Sequence, residues 1–306
     1  MRKVTVTHEE LLAYYTAPGV FTGVDGFADQ LDGIPSDVAS VSRAVQGLLI
    51  DVSLASAYGV YLPTERIPEK QFHSAVSMLT RATQLGSLPV NRERVPQKRV
   101  IGVCRHFATL FVAFMRYKGV PSRVRCGFAN YFQPGKHLDH WVGEYWNVDE
   151  KRWVLVDAQV DNLQRRLFAV EIDTLDVPRD RFLVGGDAWR TCRNGTDPMN
   201  FGIEGTEMWG LVEVYGDIFQ DLAALQNIEL LPWEWYGMAK SDQSMRQIAL
   251  IDRLAAISSS ANAAAIDTLR EMIAEDDRLR VPESTVAANI AADQLAIQNY
   301  ASGQKI

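Results

Sequence analysis

Apolar residues recur at spacings of three and four in two stretches of the first hundred residues, and this period marks one face of a helix. In the stretch 35–60 the recurring positions are Val38, Val41, Val45, Leu48 and Leu49. In the stretch 69–86 they are Phe72, Ala75, Val76, Leu79 and Ala82. Ser36 or Asp37 is the candidate N-cap of the first helix, and Gly86 ends the second. With a shorter helix predicted at 8–17, residues 1–95 are expected to be mainly helical.

The pattern changes after residue 100. A helix is predicted from Cys104 to about Lys118, ended by Gly119 and Pro121. Its apolar face carries Phe107, Leu110, Phe111 and Phe114. Three strand-like runs follow at 122–132, 139–148 and 152–160, separated by turn segments. One helix followed by an antiparallel meander predicts the α+β class.

The remaining chain is predicted to be irregular and then helical. Residues 161–240 are rich in aromatics and glycines, and we expect long loops and short elements there that cover the meander, with a turn at Gly185 and Gly186. Helical patterns return at 244–258, 265–280 and 284–300. We therefore divide the chain into three parts. They are a helical N-terminal part at 1–95, a core with aromatic-rich loops at 96–240, and a helical extension at 241–306.

Composition narrows the function classes. The 306 residues are 47% hydrophobic, which is enough for a sizeable core, and the formal net charge of −7 disfavours nucleic acid as a partner. The basic stretch 91–99 is predicted to be a solvated linker. No apolar run approaches the ~18 residues that a membrane span needs, and the N-terminus lacks a signal-peptide pattern. Three cysteines disfavour a disulfide framework, so we expect a cytoplasmic protein.

Cys104 is the first candidate for chemistry. It stands at the predicted start of a helix, where free backbone N–H groups and the helix dipole are expected to lower a thiol pKa. The same amides are candidate donors to an oxyanion. Taken alone, the cysteine is more simply a small buried residue.

Two further residues strengthen the case. His140 lies on the second predicted strand, and Asp157 follows the apolar run of the third, where a carboxylate needs a partner. Neighbouring antiparallel strands would let Asp157 accept the Nδ1 proton of His140, while the other ring nitrogen faces Cys104. The three residues then provide nucleophile, base and orienting group.

The stretches "GVCRHFATLFVAFMRYKGVPSRVRCGF" and "DHWVGEYWNVDEKRWVLVDAQ" together resemble the transglutaminase-like superfamily. That superfamily has a Gly-x-Cys opening a helix, a "GVPSR"-type turn into a strand, a His-x-Trp strand and a Trp…Val-Asp strand. The matching positions are Gly102, Cys104, Gly119, Pro121, Arg123, His140 and Asp157. Trp141 follows His140 directly, which departs from the pattern. The resemblance covers about residues 95–165, and the second stretch is also similar to the peptide N-glycanase branch.

The resemblance implies a papain-like core, in which the helix carrying Cys104 packs on an antiparallel sheet. It implies Cys104 as nucleophile, His140 as base and Asp157 as orienting acid, acting on an amide, ester or thioester carbonyl. This chemistry requires no cofactor, and the sequence has no dense oxygen-ligand loop for calcium.

We therefore expect a cysteine-dependent acyl-transfer enzyme that acts through a Cys104 acyl-enzyme. Its substrate would be a peptide, protein or small-molecule amide or thioester. A peptidase or amidase is the main expectation, because water is always present as acceptor and no amine site is evident. The alternatives are an amine-accepting acyltransferase, of the transglutaminase or amide-forming biosynthetic type, and a non-catalytic binding module that uses the aromatic segment 185–236. The oligomeric state stays open.

A rival hypothesis is structural zinc. Cys104, His106, His137 and His140 form C-x-H and H-x₂-H pairs of types that bind zinc. Their spacing does not match a zinc knuckle, and Asp157 would be left unexplained, so no metal is predicted.

Five further residues receive weaker assignments. Asp139 should point to the strand face opposite His140, and it is predicted to be structural, with a substrate contact as the alternative. Gln97 and Asn130 are candidate oxyanion donors. Cys126 is predicted to lie in the core, and Cys192 in a loop.

Overall fold

The computed structural model describes residues 6–240 and 246–303 and has the predicted α+β class. The helices are α1 His8–Thr16, α2 Ala28–Asp32, α3 Val38–Leu48, α4 Ala75–Leu85, α5 Cys104–Tyr117, α6 Asn162–Leu167, α7 Gly185–Arg193, α8 Leu211–Ala224, α9 Ile248–Ser260, α10 Ala263–Glu275 and α11 Glu283–Ser302. The strands are β1 Leu49–Asp51, β2 Val100–Gly102, β3 Ser122–Ala129, β4 His137–Asn147, β5 Arg152–Val156, β6 Phe182–Val184 and β7 Phe201–Gly202. No helix within the described ranges has the length and apolar character needed to cross a bilayer.

The main sheet contains the predicted meander. Its antiparallel order is β5-β4-β3-β6, and β7 pairs with β4 in parallel. His140 pairs with Gly127, and Gly143 pairs with Val156. Asp157 therefore directly follows the last residue of β5, and β5 lies next to β4, the strand that carries His140.

Helix α5 packs on the sheet face that carries Val124, Cys126 and Trp141. Gly143 allows this close packing, because a Cβ atom at this position would overlap the ring of Phe111 on α5. The helix therefore lies directly on β4, and its first residue is held near the end of that strand.

A two-stranded sheet replaces the second half of the helix expected at 35–60. Asp37 does cap α3, but α3 ends at Leu48, and β1 follows at once and pairs in parallel with β2. Ile50 and Ile101 are both fully buried in this pair. Burial against a partner strand distant in sequence thus overrides the local helical period. The pairing of Asp51 with Gly102 brings Asp51 close to Cys104.

The prediction of long loops at 161–240 is wrong for much of that segment. The helices α7 and α8 lie there, and they form a core cluster with α9 around Trp189, Tyr215 and Ile218. Every residue of α8 from Glu213 onward is buried, including its polar residues, so the helix lacks the polar face that an amphipathic pattern requires.

The pair of glycines predicted as a turn instead opens α7, and Cys192 lies half-buried on this helix and not in a loop. Gly186 is needed for close packing, since a Cβ there would overlap the carbonyl of Ala255 on α9.

The stretch 91–99 is exposed at most of its positions, as predicted, but two of its arginines are not solvated. Arg94 and Arg99 are both buried, at 2% and 6% exposure. Their guanidinium groups donate to backbone carbonyls, with Arg94 bonded to Leu88 and Arg99 bonded to Arg94. These two arginines satisfy backbone carbonyls of the connection to β2, and composition alone could not distinguish them from residues of a charged surface.

Buried ion pairs join the sheet to α8. Glu144 on β4 lies 2.6 Å from Arg123 and 3.0 Å from Arg125, and Arg125 also contacts Asp221 on α8 at 2.8 Å. Arg179 approaches Glu144 from the protein surface. These charges of both signs offset one another in the interior, as buried charges must.

Candidate active site

Local contacts hold Cys104 at the first position of α5. The Val103 N–H donates to Nδ1 of His106 at 3.1 Å, which satisfies one free donor of the helix start. Arg105 is fully buried, and its guanidinium donates to the carbonyls of Phe72 and His73. Cys104 itself is partly exposed and lines a cavity.

His140 and Asp157 form a direct pair. Nε2 of His140 lies 2.9 Å from Oδ2 of Asp157. The structure therefore contradicts the expected use of Nδ1, because it is Nε2 that faces the carboxylate. Nδ1 remains as the second ring nitrogen, on the ring that lines the cavity with Cys104.

Two further donors hold the Asp157 carboxylate. The Tyr131 hydroxyl donates to Oδ2 at 2.7 Å, and the Gln159 N–H donates to Oδ1 at 3.0 Å. Burial disfavours the charged form of Asp157, but the charge and hydrogen bond of His140, with the other donors, keep its pKa below the usual value. Asp157 is thus an ionised acceptor, as an orienting residue must be.

The cavity has a volume of about 550 Å³ and contains Cys104 and His140 in its lining. Its apolar walls include Phe132, Leu138, Phe168, Ile203, Pro232 and Trp233. Asp157 lies behind His140 and does not line the cavity. The structure therefore brings two of the predicted residues to one cavity, with the third paired to one of them.

The electrostatic environment of Cys104 differs from the expectation. Burial raises the pKa of its thiol well above the usual value, and the charges of Asp139 and Asp51 raise it further. Hydrogen bonds from the backbone of Trp141 and Arg105 act in the opposite direction but do not outweigh them. The helix N-terminus does not produce the lowered pKa predicted from the sequence, so the resting thiol is protonated.

Asp139 lines the same cavity as Cys104. Its Oδ1 is buried and has no hydrogen-bond partner among the described residues. Burial and the nearby charge of Glu213 raise its pKa to about 7. The side chain predicted to be structural thus belongs to the cavity wall.

The proposed side-chain donors to an oxyanion do not reach the cavity. Asn130 is used elsewhere, accepting from Arg181 and donating to the Asp180 carbonyl. Gln97 is exposed on a short 3₁₀ turn, and neither residue is among those that line the cavity. The backbone amides near the start of α5 are the candidates that are left from the sequence analysis.

One group of side chains has the composition of a metal site. Donor atoms of Cys126, Asp139 and Asp217 lie within 4.8 Å of one another. One thiol and two carboxylates suit a borderline divalent cation better than calcium, which prefers six or more oxygen ligands. Cys126 is buried in the apolar core as predicted, and its sulfur also lies within 4.8 Å of these carboxylates.

The zinc set weighed from the sequence does not assemble within residues 6–240 and 246–303. His106 is fully buried, and its Nδ1 is used at the start of α5. Burial and the charge of Arg105 lower its pKa to about 3, so it stays neutral. His137 stacks on Phe201 at 4.4 Å between ring centroids.

Sequence reasoning missed three residues of this site. Asp51 ends the apolar run "LLID", which is the same signal that identified Asp157. Gln159 and Tyr131 carry no comparable signal, because their roles depend on which strand end faces Asp157. Tyr131 follows β3, and Gln159 follows β5.

The molecule is an α+β protein in which a cysteine at a helix start shares a cavity with a histidine, and a carboxylate pairs with that histidine behind the cavity wall. Residues 73–158 match the family model of the transglutaminase-like superfamily. The chain therefore contains a transglutaminase-like domain over this segment, as the sequence resemblance implied. The match supports a cysteine-dependent enzyme.

No curated protein shows significant sequence similarity to the chain. Among solved structures, the chain is similar to one described as a "Putative Cysteine Protease from Cytophaga hutchinsonii". The two share 17% sequence identity, with a TM-score of 0.35. The similarity covers 60% of this chain and 48% of the other, so it spans about half the length of that structure.

Proposed function

We propose that the protein is a cysteine-dependent amidase or peptidase that works through a Cys104 acyl-enzyme. The observation that carries the proposal is the 2.9 Å contact between His140 Nε2 and Asp157 Oδ2, behind a cavity that Cys104 and His140 line together. The pair fixes the tautomer of His140. With Nε2–H donated to Asp157, Nδ1 is left as the proton acceptor.

The first half of the reaction forms the acyl-enzyme. Nδ1 of His140 takes the thiol proton of Cys104, and the sulfur attacks the substrate carbonyl carbon. Backbone amides near the start of α5 donate to the oxyanion. The imidazolium then gives its proton to the leaving nitrogen as the C–N bond breaks, which leaves a thioester on Cys104 and neutral His140.

The second half consumes water. His140 takes a proton from a water molecule that attacks the thioester carbon. As the C–S bond breaks, the imidazolium returns this proton to sulfur, which releases a carboxylic acid and restores the Cys104 thiol and neutral His140. Hydrolysis is favoured because Cys104 is partly exposed to the cavity, so water can reach its thioester. Asp157 stabilises the imidazolium in both halves and keeps its own charge.

Acetyl transfer from p-nitrophenyl acetate tests the proposal without a known natural substrate. We expect a burst of p-nitrophenol, an added acetyl mass mapped to Cys104, and its loss on standing in water. Cys104→Ala should abolish the acetylated species, and His140→Ala should slow its formation strongly. Cys192→Ala is the matched control, since this cysteine lies outside the cavity, and it should behave as wild type.

Two results would decide against the proposal. Equal acetylation of Cys104 and Cys192 would remove the role of His140 and Asp157. An acetyl-enzyme that is stable in water but is discharged by added glycinamide, with N-acetylglycinamide as product, would replace the hydrolase with the acyltransferase alternative.

A further inference from the structure

The polar side chains around Cys104 are mainly acceptors of hydrogen bonds. Asp51, Asp139, Gln159 and Glu204 all line the cavity, and the lining includes no lysine or arginine within the described residues. A ligand that fits such a cavity must supply donors, and a positively charged ligand gains the most from three carboxylates.

Gln159 presents a free acceptor. It is 7% exposed, and its Nε2 lies 3.4 Å from Asp51 Oδ2 and 3.5 Å from Gln164 Oε1. Both neighbours are acceptors, so the NH₂ group must face them, and the amide orientation is fixed. Its Oε1 is buried without a hydrogen-bond partner within the described part of the chain.

Asp139 presents a second free acceptor. Its buried Oδ1 also lacks a partner among residues 6–240 and 246–303, and its charge is one of those acting on Cys104. A buried acceptor without a donor costs about 1–3 kcal/mol. Two of them at one cavity indicate that the donors arrive with a ligand.

The apolar walls favour an organic cation over a bare metal ion. Phe132, Phe168 and Trp233 line the same cavity as the acceptors, and its volume of about 550 Å³ is large for one ion. In a ligand with an ammonium or guanidinium group, the hydrocarbon next to that group would pack against these side chains.

We propose that the cavity selects an acyl donor that carries an ammonium or guanidinium group near the reacting carbonyl, bound by Asp139 and by Oε1 of Gln159. This inference rests on the proposed function and names the class of its substrate. A cation bound at Asp139 also offsets the carboxylate charge that opposes ionisation of Cys104, so the correct substrate favours its own attack.

Alkylating probes of different charge test this selectivity directly. The probes are 2-bromoethylammonium, iodoacetamide and iodoacetate, and in each case the Cys104 sulfur forms a C–S bond as halide leaves and the thiol proton passes to His140. The assay is run at low salt and about pH 8.5, where a free thiol is about half ionised, with EDTA to remove metal ions. Each labelling rate is divided by the rate at which the same probe reacts with 2-mercaptoethanol, which corrects for the intrinsic reactivity of the probe.

We expect the normalised labelling rate at Cys104 to be about tenfold higher for 2-bromoethylammonium than for iodoacetamide. This ratio corresponds to an attraction of about 1.4 kcal/mol between the cation and the cavity. The rate should be lowest for iodoacetate. Asp139→Asn should remove the preference and speed labelling by iodoacetamide. Glu204→Gln, on an exposed lining residue, should reduce the preference in part. Glu207→Gln changes the net charge equally outside the lining and should leave it unchanged.

The failures of the two proposals are distinguishable. Fast labelling of Cys104 without a charge preference, or with the same preference in Asp139→Asn, overturns the cationic substrate and leaves the thiol enzyme in place. Slow labelling of Cys104 by all three probes, at the rate of Cys192, overturns the proposed function and the substrate class together.

Discussion

His140 Nε2 lies 2.9 Å from Asp157 Oδ2, and this contact leaves Nδ1 as the imidazole nitrogen that does not face the carboxylate. The His140 ring lines the cavity. The Asp157 carboxylate behind it is only 1% exposed and accepts hydrogen bonds from three donors. The orientation of the pair therefore comes from β4 and from the chain just beyond β5.

Replacing Asp157 by asparagine should reduce acetylation of Cys104 by about 10⁴-fold, the loss that the same change causes in serine triads. The amide cannot stabilise the imidazolium, and it can hold the ring in the wrong tautomer. The measurement is the burst rate with p-nitrophenyl acetate. Asp180→Asn removes the same charge from an exposed position and is the control. A loss of less than tenfold in Asp157→Asn would show that the carboxylate does not orient the base.

Tyr131→Phe removes one of the donors to Asp157 and leaves His140 and Gln159 in contact with it. A hydrogen bond to a charged group is worth about 1.5–3 kcal/mol, of which we expect only part to reach the transition state. The burst rate should fall about tenfold with little change in the unfolding midpoint. Tyr145→Phe, on the same sheet but outside the cavity lining, should match wild type in both measurements. Equal losses in the two variants would contradict a role specific to Asp157.

His73 links the N-terminal part to helix α11 and to the segment before residue 240. Its Nδ1 lies 3.2 Å from Asp293 and its Nε2 3.0 Å from Glu234, next to the cavity residue Trp233. Burial disfavours the charged ring, but the two carboxylates outweigh it and raise the His73 pKa. A raised folded pKa means that this contribution to stability is complete below about pH 6.5 and is lost as pH rises through the folded pKa.

Urea unfolding of wild type and His73→Gln across pH measures this contribution. The difference in unfolding free energy between the two proteins should be largest at acidic pH and shrink as pH rises through the folded pKa of His73. His8→Gln, on α1 and away from this cluster, is the control and should give a difference that does not follow the same course. A difference between wild type and His73→Gln that grows with pH would mean that the histidine is held neutral.

Gly143→Ala should destabilise the protein by about 1–3 kcal/mol, the usual cost of overpacking. The new methyl group would overlap the Phe111 ring and push α5 away from β4. The displacement would also move Cys104 relative to His140, so the burst rate should fall as well. Gly86→Ala is the matched control, because a Cβ there meets no atom within 4 Å and the backbone is extended. Equal stability of the two variants in urea would show that the contact can relax without cost.

The candidate site combines features that were predictable with features that were not. Cys104, His140 and Asp157 each carry a local signal, namely a helix start, a polar residue in a strand and a carboxylate at the end of an apolar run. The nitrogen that faces Asp157 has no local signal, since it depends on the rotation of the ring between β4 and the end of β5. The raised pKa of Cys104 likewise depends on its burial and on Asp139 and Asp51, which different strands bring to the cavity.

By itself, the sequence determined the elements whose pattern is local. Helix α5 and the meander β3 to β5 follow from apolar periods of three to four and of two, closed by glycine and proline turns. Only the tertiary structure decided β1 and α8. Strand β1 exists because Ile50 pairs with the distant β2, and α8 is buried on all sides, so its polar residues conceal its period. Periodicity reports burial on one face of an element, and it loses its meaning where partners distant in the chain bury every face.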